Sequence, residues 1–136
     1  MPGGLTFDST QSYIVFGAIK FVGYSLAARY LKTSYPDSNA NVLLVGLTRT
    51  LIGMFFGAIV GMIGFWAFEV AFLVFLLGLL PVRILEWWIL LRIFFDRKDE
   101  DKRKLGNNIA LGVVWSFVLD IPAIFGFIVT GGFWIC

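Results

Sequence analysis

The sequence predicts an all-α integral membrane protein, a compact helical bundle of four transmembrane helices with both termini on the non-cytoplasmic side. Three observations predict it. Of 136 residues, 59% are hydrophobic and 15% are charged, which leaves too few polar groups to cover a soluble domain of that length. The charges are clumped, and between the clumps run apolar stretches of about 20 residues or more, the length of a bilayer crossing. Lys and Arg flank these stretches unevenly, which is the pattern that sets topology.

Composition also narrows the chemistry. There is no histidine, and the single cysteine is Cys136. A His-ligated haem, a His or Cys metal centre, His acid–base catalysis and an intrachain disulfide are therefore excluded, and no cofactor is expected. A net charge of +2 gives no reason to expect nucleic acid as a partner. The opening segment, Met1 to Asp8, has no basic residue and no early apolar core, so no cleavable signal peptide is expected.

The first predicted helix covers residues 12–31, about 20 residues or roughly 30 Å. Lys20 is the full charge in its middle. The polar stretch Lys32 to Asn41 contains Pro36-Asp37 and reads as a loop, with the cap of the next helix at Asn39 or Asn41. From Val42 to Phe95 the chain is apolar for about 54 residues, too long for one crossing, and suits helices over 42–62 and 69–95 joined by a tight turn between Gly61 and Glu69. A second placement stays open: with the turn at Gly61 to Gly64, the third crossing ends near Val82. Arg83, Glu86, Trp87 and Trp88 then mark the interface, and Ile89 to Phe95 lies along it. The charged segment 96–104 is predicted as a loop, and residues 109–135 form the fourth helix.

Orientation follows from the cations. Four crossings place the first and third loops on one side, with Arg29, Lys32, Arg97, Lys98, Lys102, Arg103 and Lys104, while the tails and the central turn hold no Lys or Arg. The positive-inside rule then makes loops 32–41 and 96–108 cytoplasmic, in a plasma or cytoplasmic membrane.

Two stripes point inward. Gly46, Gly53, Gly57, Gly61 and Gly64 recur at helical spacing on the second helix, a groove that lets two backbones approach in lipid. Arg49 lies on the same face and so points at protein. The fourth helix carries Gly112, Ser116, Asp120, Ala123 and Thr130 on one face, with Asp120 roughly 16 Å from the predicted helix start, near the midplane. Depth-matching at 1.5 Å per residue pairs Arg83 with Asp120 and Arg49 with Glu86. Lys20 matches Asp120 or Glu69, or snorkels outward. Pro81 and Pro122 stand next to these charges and free backbone carbonyls there.

These five charges, Lys20, Arg49, Arg83, Glu86 and Asp120, are the candidate site, either as a structural ion-pair lattice or as a path for a ligand or ion. In outline, four short helices resemble the small multidrug transporters, whose first helix carries a membrane carboxylate; here that helix offers Lys20. No Ser, Cys or His nucleophile arrangement is present, so an enzyme is the least expected class. The leading expectation is a non-enzymatic subunit or assembly factor of a membrane complex, surrounded by lipid and meeting other membrane subunits or copies of itself. The alternative is a small oligomeric transporter or channel using the charged cluster.

Overall fold

The structure, a computed structural model, describes residues 9–67, 72–98 and 101–130. Among these residues the chain forms four helices: α1 (Ser9–Ser34), α2 (Val42–Ala67), α3 (Phe72–Phe94) and α4 (Lys102–Thr130). Each packs on its neighbours in sequence and α4 closes back on α1, so the four form a ring around one interior. Among the described residues three stretches are long and apolar enough to cross a membrane: Ile14–Ser34, Val42–Val60 and Lys102–Pro122. α3 is strongly apolar as well, but carries three charges, Arg83, Glu86 and Arg92.

Several boundaries differ from the sequence expectation. α1 starts at Ser9 and runs on to Ser34, where Pro36, which has no backbone N–H, prevents a further turn. α2 is capped by Asn41, whose Oδ1 accepts from the backbone N–H of Leu43 (3.0 Å) and Leu44 (3.4 Å). It then runs straight through Gly61 and Gly64 to Ala67, so a turn at Gly61 to Gly64 does not occur. Glu69, placed at that turn, lies outside the described residues. α3 is continuous past Val82 to Phe94, which excludes a break before Arg83. The largest difference is at α4, which starts at Lys102 instead of residue 109. Asp101 accepts from the backbone N–H of Arg103 (2.9 Å) and Lys104 (3.1 Å), an N-cap that draws Lys102, Arg103 and Lys104 out of the expected loop and into the helix.

The surface is apolar. Leu43, Leu47, Leu51 and Phe55 on α2, Val22 and Leu26 on α1, and Val114 and Ile121 on α4 are exposed, an arrangement suited to lipid and unsuited to water. The interior is layered. At the end that carries the α1–α2 and α3–α4 connections, Leu31, Ala40, Leu91, Phe95 and Leu105 form an apolar core. The two connections meet there: Tyr35 packs on Phe95 with ring centroids 5.9 Å apart, and Asn108 donates to the Tyr35 hydroxyl at 3.3 Å. One to two turns deeper the core passes into Tyr24 and Trp87, and beyond these the interior is charged.

Glycines let two of the helix pairs pack closely. A Cβ on Gly46 would sit 3.0 Å from the backbone N and 3.1 Å from the Cα of Ser25, so α1 and α2 can meet at this depth only over a glycine. Gly112 on α4 likewise lies under the Trp87 indole of α3. The glycine stripe of α2 is therefore used, at Gly46, inside this chain. Gly57 is buried and Gly53 is half-buried beside Arg49; Gly61 and Gly64 are helical, with surroundings outside the described residues.

Candidate functional site

The ring of helices brings all five predicted charges together. Lys20 comes from α1, Arg49 from α2, Arg83 and Glu86 from α3, and Asp120 from α4. Each is at most 6% exposed, and Asp120 is 0% exposed. A charge left alone at the centre of a bilayer costs about 2.5–3.5 kcal/mol on insertion scales, so such groups are expected in pairs. Pairs are what the interior contains. Asp120 divides its carboxylate between two cations, Oδ1 accepting from Lys20 Nζ at 2.5 Å and Oδ2 from Arg83 Nη2. Arg49 Nη2 lies 2.7 Å from Glu86 Oε2. Depth-matching from the sequence proposes these same Arg83–Asp120 and Arg49–Glu86 pairs; Lys20, left open there between three options, goes to Asp120.

The spacing explains why these residues converge. On α3, Arg83, Glu86, Trp87 and Leu90 step by three and four residues along one buried face, and on α4 the same steps align Gly112, Ser116 and Asp120. Helix α1 adds Lys20 and Tyr24, one turn apart. The result is two rungs. The outer rung, toward the connections, joins Tyr24, Arg49, Glu86, Trp87 and Ser116. The inner rung joins Lys20, Arg83 and Asp120.

Ser116 is the hub of the outer rung and is fully buried. Trp87 Nε1 at 2.9 Å and Arg49 Nη2 at 3.3 Å donate to its Oγ, the Tyr24 hydroxyl lies 3.4 Å away, and the Oγ donates to the Gly112 carbonyl at 3.0 Å. One hydroxyl thus ties side chains of α1, α2 and α3 to the backbone of α4. Aromatic faces complete the lining: the Arg49 guanidinium lies 4.7 Å from the Tyr24 ring centroid and 5.2 Å from that of Trp87, and Arg83 lies 4.3 Å from the Phe117 ring. Such contacts hold a cation away from water by its attraction to the ring quadrupole.

Ser116, Tyr24 and Trp87 were not singled out as site residues by sequence reasoning. Tryptophan in a membrane chain is ordinarily read as an interfacial belt residue, and Trp88, 43% exposed, fits a lipid-facing position. Trp87 is 1% exposed. Its place on the 83–86–87–90 stripe is the signal that separates it from its neighbour.

The chemistry open to this arrangement is limited. Ser116 has its hydroxyl proton committed to a backbone carbonyl, and the chain has no histidine to take it, so it is not an activated nucleophile. Both oxygens of Asp120 are engaged by cations. Among the described residues no three ligating side chains converge to hold a metal. Within the cluster, Arg49 Nε, Arg49 Nη1 and Arg83 Nη1 have no hydrogen-bond partner among the described residues. Arg49 and Arg83 are among the residues lining a small cleft between α1, α2 and α3, with Phe16, Thr50, Gly53, Gly57, Leu79 and Val82.

The class that fold and site define is a helical membrane bundle with an apolar exterior and a buried ion-pair cluster. Comparison with known proteins finds no family model, no curated protein and no solved structure that matches this chain.

Proposed function

We propose that this chain is a non-enzymatic subunit or assembly factor of a larger membrane complex, crossing the cytoplasmic membrane four times with loops 32–41 and 96–108 in the cytoplasm. The observation that carries the reading is the cluster itself: it takes a side chain from every helix, and Asp120 is shared by two cations from two different helices. A group of this kind acts as an internal clamp that gives the bundle one register, a known use of buried polar groups. What such a bundle then offers its surroundings is apolar helix faces at membrane depth, the surface by which membrane subunits meet. The orientation rests on the cations, which gather at the end where the two connections pack together.

Purification of the full chain in mild detergent, with the detergent mass subtracted, tests this reading. The expected outcome is a stoichiometric complex with a different membrane chain. A homogeneous homo-oligomer that passes ions or solutes in liposomes overturns it.

One observation favours a second reading, a small oligomeric transporter or channel: the cleft between α1, α2 and α3 is bordered by Lys20, Arg49, Arg83 and Glu86, and charged residues at membrane depth commonly mark ion and substrate paths. Under it, Arg83→Gln abolishes flux in liposomes while the protein stays folded. Normal flux from that folded variant removes Arg83 from any path.

A further inference from the structure

We propose that the groove between α1 and α4 holds one acyl chain of an anionic phospholipid, whose headgroup sits among Arg29, Arg103 and Lys104. The inference needs only that the bundle lies in a membrane, so it goes beyond the subunit reading and does not depend on it.

The groove lies at the seam where α4 closes the ring against α1. Its rims are Leu26 and Tyr30 of α1 and Leu111 of α4, each more than half exposed, and it reaches in past Leu31 and Trp115 toward Trp87 of α3. The donors of the wall are committed to protein acceptors. Trp115 Nε1 donates to the Gly23 carbonyl at 2.9 Å, Trp87 Nε1 to Ser116 Oγ at 2.9 Å, and Asn108 Nδ2 to the Tyr35 hydroxyl at 3.3 Å. What the leucines and indoles leave to the groove is carbon. Its other polar groups, the Asn108 amide oxygen and the Tyr30 hydroxyl, belong to the end nearer the helix connections.

Shape and charge select the occupant. From Asn108 to Trp115 the groove runs about 10 Å along α4, about two thirds of the hydrocarbon depth of one leaflet. Its volume of about 330 Å³ over that length gives a cross-section of about 30 Å², against roughly 80 Å² or more for a helix with its side chains. A flexible hydrocarbon chain fits such a section and the helix of a second copy does not. The charge lies at the connection end. Arg29 stands one turn past Leu26 on the α1 rim; on α4, Lys104 stands one turn before Asn108, and Arg103 two turns before Leu111 along the same row. Arg29 and Arg103 are exposed, and Lys104 keeps its Nζ 4.4 Å from the Tyr35 ring. Asp101, the acid of the same α4 turn, is engaged in capping the helix, while exposed Lys32 and Asp37 offset one another. Lys and Arg clustered at headgroup level attract anionic lipid, and Tyr30 has the apolar ring and polar tip of a residue at that level.

The test is native mass spectrometry of the full chain, released from detergent micelles after incubation with equimolar phosphatidylglycerol and phosphatidylcholine carrying the same acyl chains. One retained lipid per chain is expected, with phosphatidylglycerol favoured about fivefold or more, the effect of a single Lys or Arg near an anionic surface. Ala27→Phe, which puts a ring into the groove wall, is expected to abolish retention. Ala58→Phe, at an exposed position of α2, is expected to retain the lipid as the wild type does. The variant Arg29→Gln/Arg103→Gln/Lys104→Gln leaves the groove open and is expected to hold the two lipids equally; it decides the matter should Ala27→Phe fail to fold. No retained lipid, equal retention of the two headgroups by the wild type, or full retention by folded Ala27→Phe overturns the proposal. So do a headgroup preference that survives the triple variant and a lipid-free dimer, which would put a second copy in the groove.

Discussion

Asp120→Asn is the substitution that probes the cluster most directly. Asparagine keeps the shape and removes the charge, so Lys20 and Arg83 lose the carboxylate they share while both stay at most 6% exposed. Removing one partner of a buried ion pair typically costs about 3–5 kcal/mol, because the uncompensated charge stays in the interior. Here two cations are stranded instead of one, which places the expected effect in the upper part of that range. For a domain of this length each kcal/mol shifts Tm by about 3–4 °C, giving a fall of about 13–20 °C. Thermal unfolding of the full chain, followed by far-ultraviolet circular dichroism in micelles at pH 7 and fixed chloride, measures it. The companion is the triple variant Lys20→Met/Arg83→Met/Asp120→Leu, in which no charge of the inner rung remains. Replacing a buried ionic group by packed apolar side chains is often neutral or stabilising, so the triple variant is expected to regain at least half of the lost Tm. A fall below about 3 °C for Asp120→Asn, less than 1 kcal/mol, refutes the clamp. So does a triple variant no more stable than the single one, since stranded charge is then not what destabilises it.

Three further outcomes follow from the packing. Gly46→Ala forces a Cβ against the backbone of Ser25 and Gly112→Ala forces one against the Trp87 ring, so each is expected to destabilise by about 1–3 kcal/mol; Gly78→Ala, whose added Cβ meets nothing within 4 Å, should be neutral or stabilising by up to about 1 kcal/mol. The contrast is read from the same melts. Trp87→Phe removes the 2.9 Å donor to Ser116 and part of the ring over Arg49; a loss of about 1–3 kcal/mol is expected, and a change within about 0.5 kcal/mol, the range of an ordinary surface substitution, would remove Trp87 from the clamp. Tyr35, in the connection after α1, has its pKa raised by burial and, further, by Asp96 and Asp101, against a lowering by the Asn108 hydrogen bond. Its neutral form is therefore favoured in the folded state. That contribution is complete below the unfolded value of about 10 and is lost as pH rises through the higher folded value. Above about pH 10 the wild-type chain should lose stability more steeply than Tyr35→Phe; parallel slopes contradict the assignment.

How far the fold could be read from the sequence depended on which force set each feature. Lipid exposure leaves a strong trace in hydropathy, so the apolar runs and the inward stripes of α2 and α4 were legible. Depth along a straight helix is arithmetic, so Arg49 could be matched to Glu86, and Arg83 to Asp120, without coordinates. The start of α4 was not legible by that route. Hydropathy reports where the chain would enter lipid, whereas the helix begins where Asp101 satisfies its first backbone donors, a full two turns earlier. Lys20 illustrates a second limit. Its depth fitted more than one acid, and only the closing of α4 against α1 selects Asp120.

The glycine stripe carries the most consequence for function. A glycine groove has the same sequence signature whether it seats a helix of its own chain or of a partner, because either requires only close backbone approach. The contact of Gly46 with Ser25 assigns that part of the groove to α1, and the small residues Gly112 and Ser116 of α4 are likewise filled from within, by Trp87. Small-residue packing at these positions is therefore not available to a partner. A neighbouring subunit would have to meet the bulky residues left outside, such as Leu47, Leu51 and Phe55 on one side of α2. Contacts between such side chains compete with lipid tails of similar polarity. Under the proposed subunit reading, specific assembly would then depend on shape held constant, and the buried cluster, which takes a side chain from all four helices, is the element placed to hold it.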